Sequence, residues 1–203
     1  ILDGERANDA LAHGATSHFT VIDVEGNMVV ITTTINLNFG SRVGAGGFFI
    51  NNMMSNFTSN LQEVPFYAVE ARKVNKQAGA ANSVDSHKRA YTSMAPLIVF
   101  DSQHQPIAAF GAAGGGPIVD FLAKSLIGFL KSKKSSQELV AEANLSASTG
   151  TPVFEAGRWP KDILTSLQHR GHKLREASLL SGKVIVIKSD TTWAGAADPR
   201  RLP

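Results

Sequence analysis

The stretch that decides the fold is Thr16-Ser17-His18-Phe19-Thr20-Val21-Ile22-Asp23, then Glu25-Gly26-Asn27, then Ile31-Thr32-Thr33-Thr34-Ile35-Asn36. Two runs rich in β-branched residues flank a Gly-Asn turn, so Phe19 to Val24 and Met28 to Ile35 read as a β-hairpin. A period of two puts Thr32, Thr34 and Asn36 on one face of the second strand. Thr16 opens the first. A hydroxyl there has a route to reactivity once the peptide bond before it is cut. The freed α-amine titrates at about 7.7–8.0, so part of it is a neutral base near pH 7. An N-terminal amine beside its own Thr hydroxyl is one way to activate a weak nucleophile. An ordinary strand threonine is the competing reading of Thr16 alone.

Working outward, the chain has 203 residues, 43% hydrophobic and 18% charged, enough for one domain with a substantial core. Net charge is only +3 from 20 basic and 17 acidic side chains. With no aromatic–basic interleaving, this argues against a nucleic-acid partner. The densest basic run, Lys131 to Lys134, sits where a helix should end and complements its dipole. There is no Cys, so disulfides and thiolate chemistry are excluded. No apolar run approaches the ~20 residues that span a bilayer, so this segment has no membrane partner.

Further elements follow from pattern. Gly44 to Gly47 makes a turn before a short strand, Phe48 to Ile50. Residues 51–84 lack periodicity and read as loop, a candidate lid. Pro96–Phe100 and Pro106–Phe110 flank Asp101-Ser102-Gln103-His104-Gln105 as a second hairpin. Gly114-Gly115-Gly116-Pro117 opens a helix with an apolar face at Ile118, Val119, Leu122, Leu126, Phe129 and Leu130. Ser135 with Glu138 offers a capping box for a second helix ending near Leu145. Pro160 to His169 reads as a third, stopped by Gly171. Val184 to Ile187 is a buried strand. Hairpins followed by helices and a late strand make the fold class α+β, with two stacked sheets covered by helices.

Four later motifs accompany Thr16 in a fixed order: Gly46-Gly47-Phe48-Phe49-Ile50-Asn51-Asn52, Lys88-Arg89-Ala90-Tyr91-Thr92-Ser93-Met94, Gly111-Ala112-Ala113-Gly114-Gly115-Gly116, and Gly195-Ala196-Ala197-Asp198-Pro199-Arg200. Together they resemble the small, catalytic subunit of the γ-glutamyltranspeptidase family, a branch of the N-terminal nucleophile hydrolases. The resemblance runs from Thr16 to about Arg200. It implies a four-layer αββα sandwich. It also implies that residues 1–15 end an upstream large chain and that 16–203 form the catalytic domain. That large chain would be the protein partner and an amide the small-molecule substrate. Self-cleavage between Ala15 and Thr16 would release the nucleophile. By the same resemblance Thr34 hydrogen-bonds Thr16, and Asn36 lines the substrate pocket. Gly114 and Gly115 supply the oxyanion hole. Thr92 and Ser93 match a Ser-Ser pair that holds the substrate α-carboxylate. The family's location implies export to a periplasmic or extracellular space.

Two positions depart from the family. Met53 stands where Glu or Gln is usual, and Asn56 where an Asp pairs with the substrate α-ammonium. A neutral partner weakens that pairing. The departures point toward another acyl amide, as in β-lactam side-chain acylases. An uncleaved, non-catalytic relative that serves as a binding module is the reading from a different class. No cofactor is needed for this chemistry. His169 and His172 suggest a capping turn more than a metal pair, since a third ligand is missing. His18 reads as structural, Asp198-Pro199-Arg200 as a salt-bridged surface turn, and Trp159 and Trp193 as packing residues.

Overall fold

The computed structural model describes residues 15–57, 82–147 and 151–201. The opening hairpin is β1 (Thr16–Ile22) and β2 (Met28–Thr34), paired antiparallel from Thr16↔Thr34 to Ile22↔Met28. Asp23 organises the turn, its carboxylate accepting the backbone N–H groups of Glu25 and Asn27 at 2.9 Å each. Alternate residues of both strands are half-buried and exposed, as the period of two requires.

A small hairpin follows, β3 (Gly44–Ala45) with β4 (Phe48–Phe49), so the glycine turn is Gly46-Gly47 and the residues before it already pair. Residues Met53–Asn56, expected to be loop, make one turn of 3₁₀ helix. The remainder of the expected lid, 58–81, lies outside the described residues, as do residues 1–14 of the segment expected to end the upstream chain.

The central sheet takes β5 (Leu97–Phe100), β6 (Pro106–Ala113), β10 (Gly182–Ser189) and β11 (Thr192–Ala197) in the order β11-β10-β6-β5, every neighbour antiparallel. β6 runs three residues beyond the expected end at Phe110. Its side chains are small or apolar and almost wholly buried, which suits a strand covered on both faces. Ala108, Phe110 and Ala112 face α1 (Ile118–Ser132) and α2 (Ser136–Ala141), packing with Ile118, Leu122, Leu139, Val140 and Ile185. The alternate residue Gly111 faces β1. Helices, sheet and hairpin therefore stack in that order, with β6 in the middle.

The capping box forms as expected: Ser135 Oγ accepts the Glu138 N–H, and the Glu138 carboxylate accepts the Ser135 N–H at 2.8 Å. Yet α2 stops at Ala141, four residues short of Leu145, which instead opens β7 (Leu145–Ser146). β7 pairs with β8 (Val153–Glu155), and β8 runs parallel to β9 (Arg175–Ala177) across the intervening α3 (Lys161–His169). None of these short strands alternates in a way the sequence reveals.

The tail is a correction. Asp198-Pro199-Arg200 makes its salt bridges, but not at the surface. Arg200 places Nε 2.7 Å and Nη2 2.8 Å from the two Glu155 carboxylate oxygens, and Nη1 2.9 Å from Asp198. The Arg200 and Asp198 side chains are 6% and 1% exposed.

Candidate active site

β1 begins and β2 ends at one level, and that register sets the two threonines side by side. Thr16 Oγ1 lies 2.9 Å from Thr34 Oγ1. Thr34 Oγ1 also accepts the Asn36 N–H at 2.8 Å and donates to the Ala15 carbonyl at 3.1 Å. A hydroxyl has one proton and two lone pairs. With its proton on Ala15 and one lone pair on Asn36, Thr34 turns the other lone pair to the Thr16 O–H. The Ala15 carbonyl accepts a second hydrogen bond, from the Ile35 N–H at 3.1 Å. The carbonyl next to the Thr16 hydroxyl is thus polarised by two donors from one strand end.

Asn36 does not share a strand face with Thr32 and Thr34. β2 stops at Thr34, and Asn36 sits at φ 73°, in the left-handed region that Asn tolerates better than most residues. The kink sends its amide nitrogen to Ser55 Oγ at 3.0 Å and to Asn56 Oδ1 at 3.4 Å. Asn56 in turn donates to the Tyr91 carbonyl at 3.3 Å. Asn82, which no sequence signal marks, braces the same corner: it donates to the Asn56 carbonyl at 2.7 Å and accepts the Tyr91 N–H at 3.1 Å. Thr92 turns its hydroxyl to its own backbone, accepting the Met94 N–H at 3.2 Å. Ser93 Oγ donates to the Gly115 carbonyl at 2.7 Å. A continuous path of hydrogen bonds and one short chain segment, Tyr91 to Ser93, joins Thr16, Thr34, Asn36, Asn56, Ser93 and Gly115.

Gly114 and Gly115 have φ of 147° and 69°. A Cβ on Gly114 would come 2.7 Å from Phe121 Cε2, so space and conformation both demand glycine there. The Gly115 carbonyl also accepts the Ile118 N–H at 3.2 Å, which ties the loop to the first turn of α1.

His18, two residues after Thr16, is bound to Thr32 Oγ1 through Nδ1 at 2.7 Å. Burial pushes its imidazole below the usual histidine range, so it is neutral at pH 7. His169 and His172 lie at the end of α3, where Gly171 takes φ 88° and the His172 N–H bonds the Leu167 carbonyl. Among the described residues no three His, Asp, Glu or Cys side chains converge as a metal site would require. No helix among them is long and apolar enough to cross a membrane. Trp159 packs edge-on against Phe154 at 5.0 Å and donates to the Asn144 carbonyl at 2.8 Å.

A family model described as γ-glutamyltranspeptidase matches residues 3–202. The chain belongs to the γ-glutamyltranspeptidase family. It is 29% identical over 193 residues to the glutathione hydrolase proenzyme of Bacillus subtilis, covering 93% of this chain and 30% of that protein. It is 28% identical over 186 residues to the acylase ACY 1 proenzyme of a Pseudomonas species, covering 90% of this chain and 30% of that protein. The chain thus spans about a third of the length of these curated relatives. A mutant γ-glutamyltranspeptidase of Helicobacter pylori superposes with a TM-score of 0.79 at 24% identity, covering 91% of this chain and all of that one. At that identity the superposition speaks for the fold: mixed helix and strand, as in other γ-glutamyltranspeptidase structures.

Proposed function

We propose that this chain is the catalytic part of a γ-glutamyltranspeptidase-like amidohydrolase. It forms an acyl-enzyme on Thr16 and passes the acyl group to water or an amine. The observation that carries the reading is the pair Thr16 Oγ1 and Thr34 Oγ1 at 2.9 Å, with the Ala15 carbonyl in the same cluster. In self-cleavage the Thr16 oxygen attacks the Ala15 carbonyl carbon and its proton leaves through Thr34. The C–N bond then breaks, and the Thr16 nitrogen takes a proton to become an amine. Water hydrolyses the resulting ester. Afterwards the Thr16 amine is the base and Thr34 orients the hydroxyl. Gly114 and Gly115 hold the oxyanion, and Asn36, Asn56, Thr92 and Ser93 bind substrate. Donors aimed at a developing oxyanion are worth about 2.7–4 kcal/mol each.

On this reading residues 1–15 end the large chain of the same precursor and 16–203 are the small one. Their union completes a four-layer αββα sandwich. The outer face of the hairpin supports a covering partner, since the cross-strand pairs Phe19–Ile31 and Val21–Val29 are apolar yet exposed. The test is to express the complete precursor, incubate it, and sequence the new N-terminus. A fragment beginning at Thr16 is expected, absent in Thr16→Ala, together with amide hydrolysis that the variant lacks. Hydrolysis undiminished in Thr16→Ala overturns the proposal.

A specific observation favours a donor without a free α-amine. Asn56 is neutral, and its two amide ends are already bonded to Asn36 and Tyr91. Met53 brings a thioether, within 3.7 Å of the Asn56 nitrogen. An α-ammonium placed there meets no countercharge from either residue. Glutaryl p-nitroanilide is therefore expected to be cleaved with at least tenfold higher kcat/KM than the γ-glutamyl anilide, and Asn56→Asp to reverse much of the ratio. Equal rates for both donors would sink this preference.

A further inference from the structure

Gly111 stands in the interior of β6, where a side chain ordinarily packs and where glycine weakens a strand. Its φ lies outside the left-handed region, so no backbone strain calls for it. Space does. A Cβ there would fall 1.9 Å from both His18 Cε1 and Nδ1, and 2.2 Å from His18 Nε2. Three ring atoms at that range mean the imidazole occupies the place a side chain would fill. The ring is held in turn by the hairpin, through Nδ1 and Thr32 Oγ1 at 2.7 Å, with Thr20 Oγ1 3.5 Å from Nε2.

The position of this contact matters. Thr16 lies two residues before His18 on β1, about 7 Å along a strand, and Gly114 lies three residues after Gly111, about 10 Å. From the other side, the hydrogen bonds through Asn36, Asn56 and Ser93 tie the Thr16 end of the hairpin to the Gly115 loop. The layers carrying the nucleophile and the glycines are thus spaced by an imidazole set on a bare Cα.

We propose that His18, seated on Gly111, is a positioning residue that sets the gap between Thr16 and the Gly114–Gly115 loop. This rests on the proposed acyl-transfer reading. It makes a demand that mere packing does not. The two donors to the Ala15 carbonyl, Thr34 and Ile35, sit on the hairpin itself. Self-cleavage therefore needs no glycine loop, whereas turnover of an added amide does. A misplacement of about 1 Å can cost about a hundredfold in rate.

The experiment uses the complete precursor and its His18→Ala, Gly111→Ala and double variants. Self-cleavage is followed by intact mass, and turnover with γ-glutamyl and glutaryl p-nitroanilide. For His18→Ala, cleavage within about threefold of the parent is expected, with kcat down on the order of a hundredfold and KM little changed. Gly111→Ala pushes the ring off its seat and should lose turnover further. Removing the ring in the double variant vacates the space, so it should recover at least tenfold over Gly111→Ala, which holds the proposal testable if the single glycine variant folds poorly. His18→Ala with parental kcat overturns the proposal, as does equal slowing of cleavage and turnover, or strict additivity in the double variant. A parent that neither cleaves nor hydrolyses overturns the acyl-transfer reading itself, and this inference falls with it.

Discussion

Thr34 carries more of the site than any other single atom group. Its Oγ1 meets Thr16, Asn36 and Ala15 at once. Thr34→Val keeps the branched shape and strand propensity and removes only that chemistry. It is expected to cut turnover by about a hundredfold, the order that misorienting a reacting group by about 1 Å costs. Thr34→Ser should return to within tenfold of the parent. A valine variant with near-parental kcat on whichever anilide the parent cleaves would remove Thr34 from the mechanism. At this scale much was legible. Alternation puts Thr32 and Thr34 on one half-buried face of β2, because the period is a local property of a short hairpin. The meeting of Thr34 with Thr16 was implied by the family resemblance and not by the period. Asn36 was not placed correctly, since its left-handed φ breaks the period just where the extrapolation relied on it. Asn82 and the His18 seat on Gly111 were invisible, being contacts between segments far apart in the chain.

Elements were legible where their signals are local. The Ser135–Glu138 box names the start of α2 and forms. Ser135→Ala should cost about 1 kcal/mol of stability, read as a lower urea midpoint, and leave the anilide rates intact. The end of α2 was not legible, because distant residues set it. Its last carbonyls accept from cations: Lys183 Nζ on Leu139 at 3.0 Å, Arg200 Nη1 on Val140 at 3.1 Å, and Arg158 on Ala141 at 2.6 Å. Opposite charge at a helix C-terminus is favourable, and here it satisfies the carbonyls that helix ends leave open. The loop before α1 shows the same division. Its glycines are plain in the sequence, but only packing shows that Gly114 abuts Phe121. Gly114→Ala must shift that ring and adopt a φ closed to alanine. A loss of 2 kcal/mol or more is expected, of the order that strained backbone and core overpacking each cost. An unchanged urea midpoint in Gly114→Ala would contradict this account of the loop.

Across the whole molecule, the tail is bound to the core by buried charge. Arg200 spans Glu155, Asp198 and two carbonyls of the α2 end, while Asp198 also accepts from Ser181. Arg200→Ala takes the guanidinium from two buried carboxylates, leaving Glu155 with Arg158 at 4.0 Å as its cation, and should cost about 3–5 kcal/mol. Arg200→Lys should rescue little, because an ammonium cannot make the two-pronged contact to Glu155. Lys183 adds a pH dependence of definite sign. Burial lowers its ammonium to about 8, with the Asp198 carboxylate opposing the shift and Arg200 and Lys124 adding to it. In the unfolded chain the same group holds its proton to about 10.4. Below pH 8 both states carry the proton, and the cost of burying it is constant. Between about 8 and 10.4 the unfolded state binds more protons than the folded one, so this group makes stability rise with pH. The rise is on the order of 3 kcal/mol across the window, at 1.36 kcal/mol for each unit between the two values. Lys183→Met abolishes this contribution whatever else titrates there. Urea midpoints of the two proteins, compared at pH 7, 9 and 10.5, should diverge in slope, and parallel curves would show that the Lys183 ammonium is not desolvated by the fold.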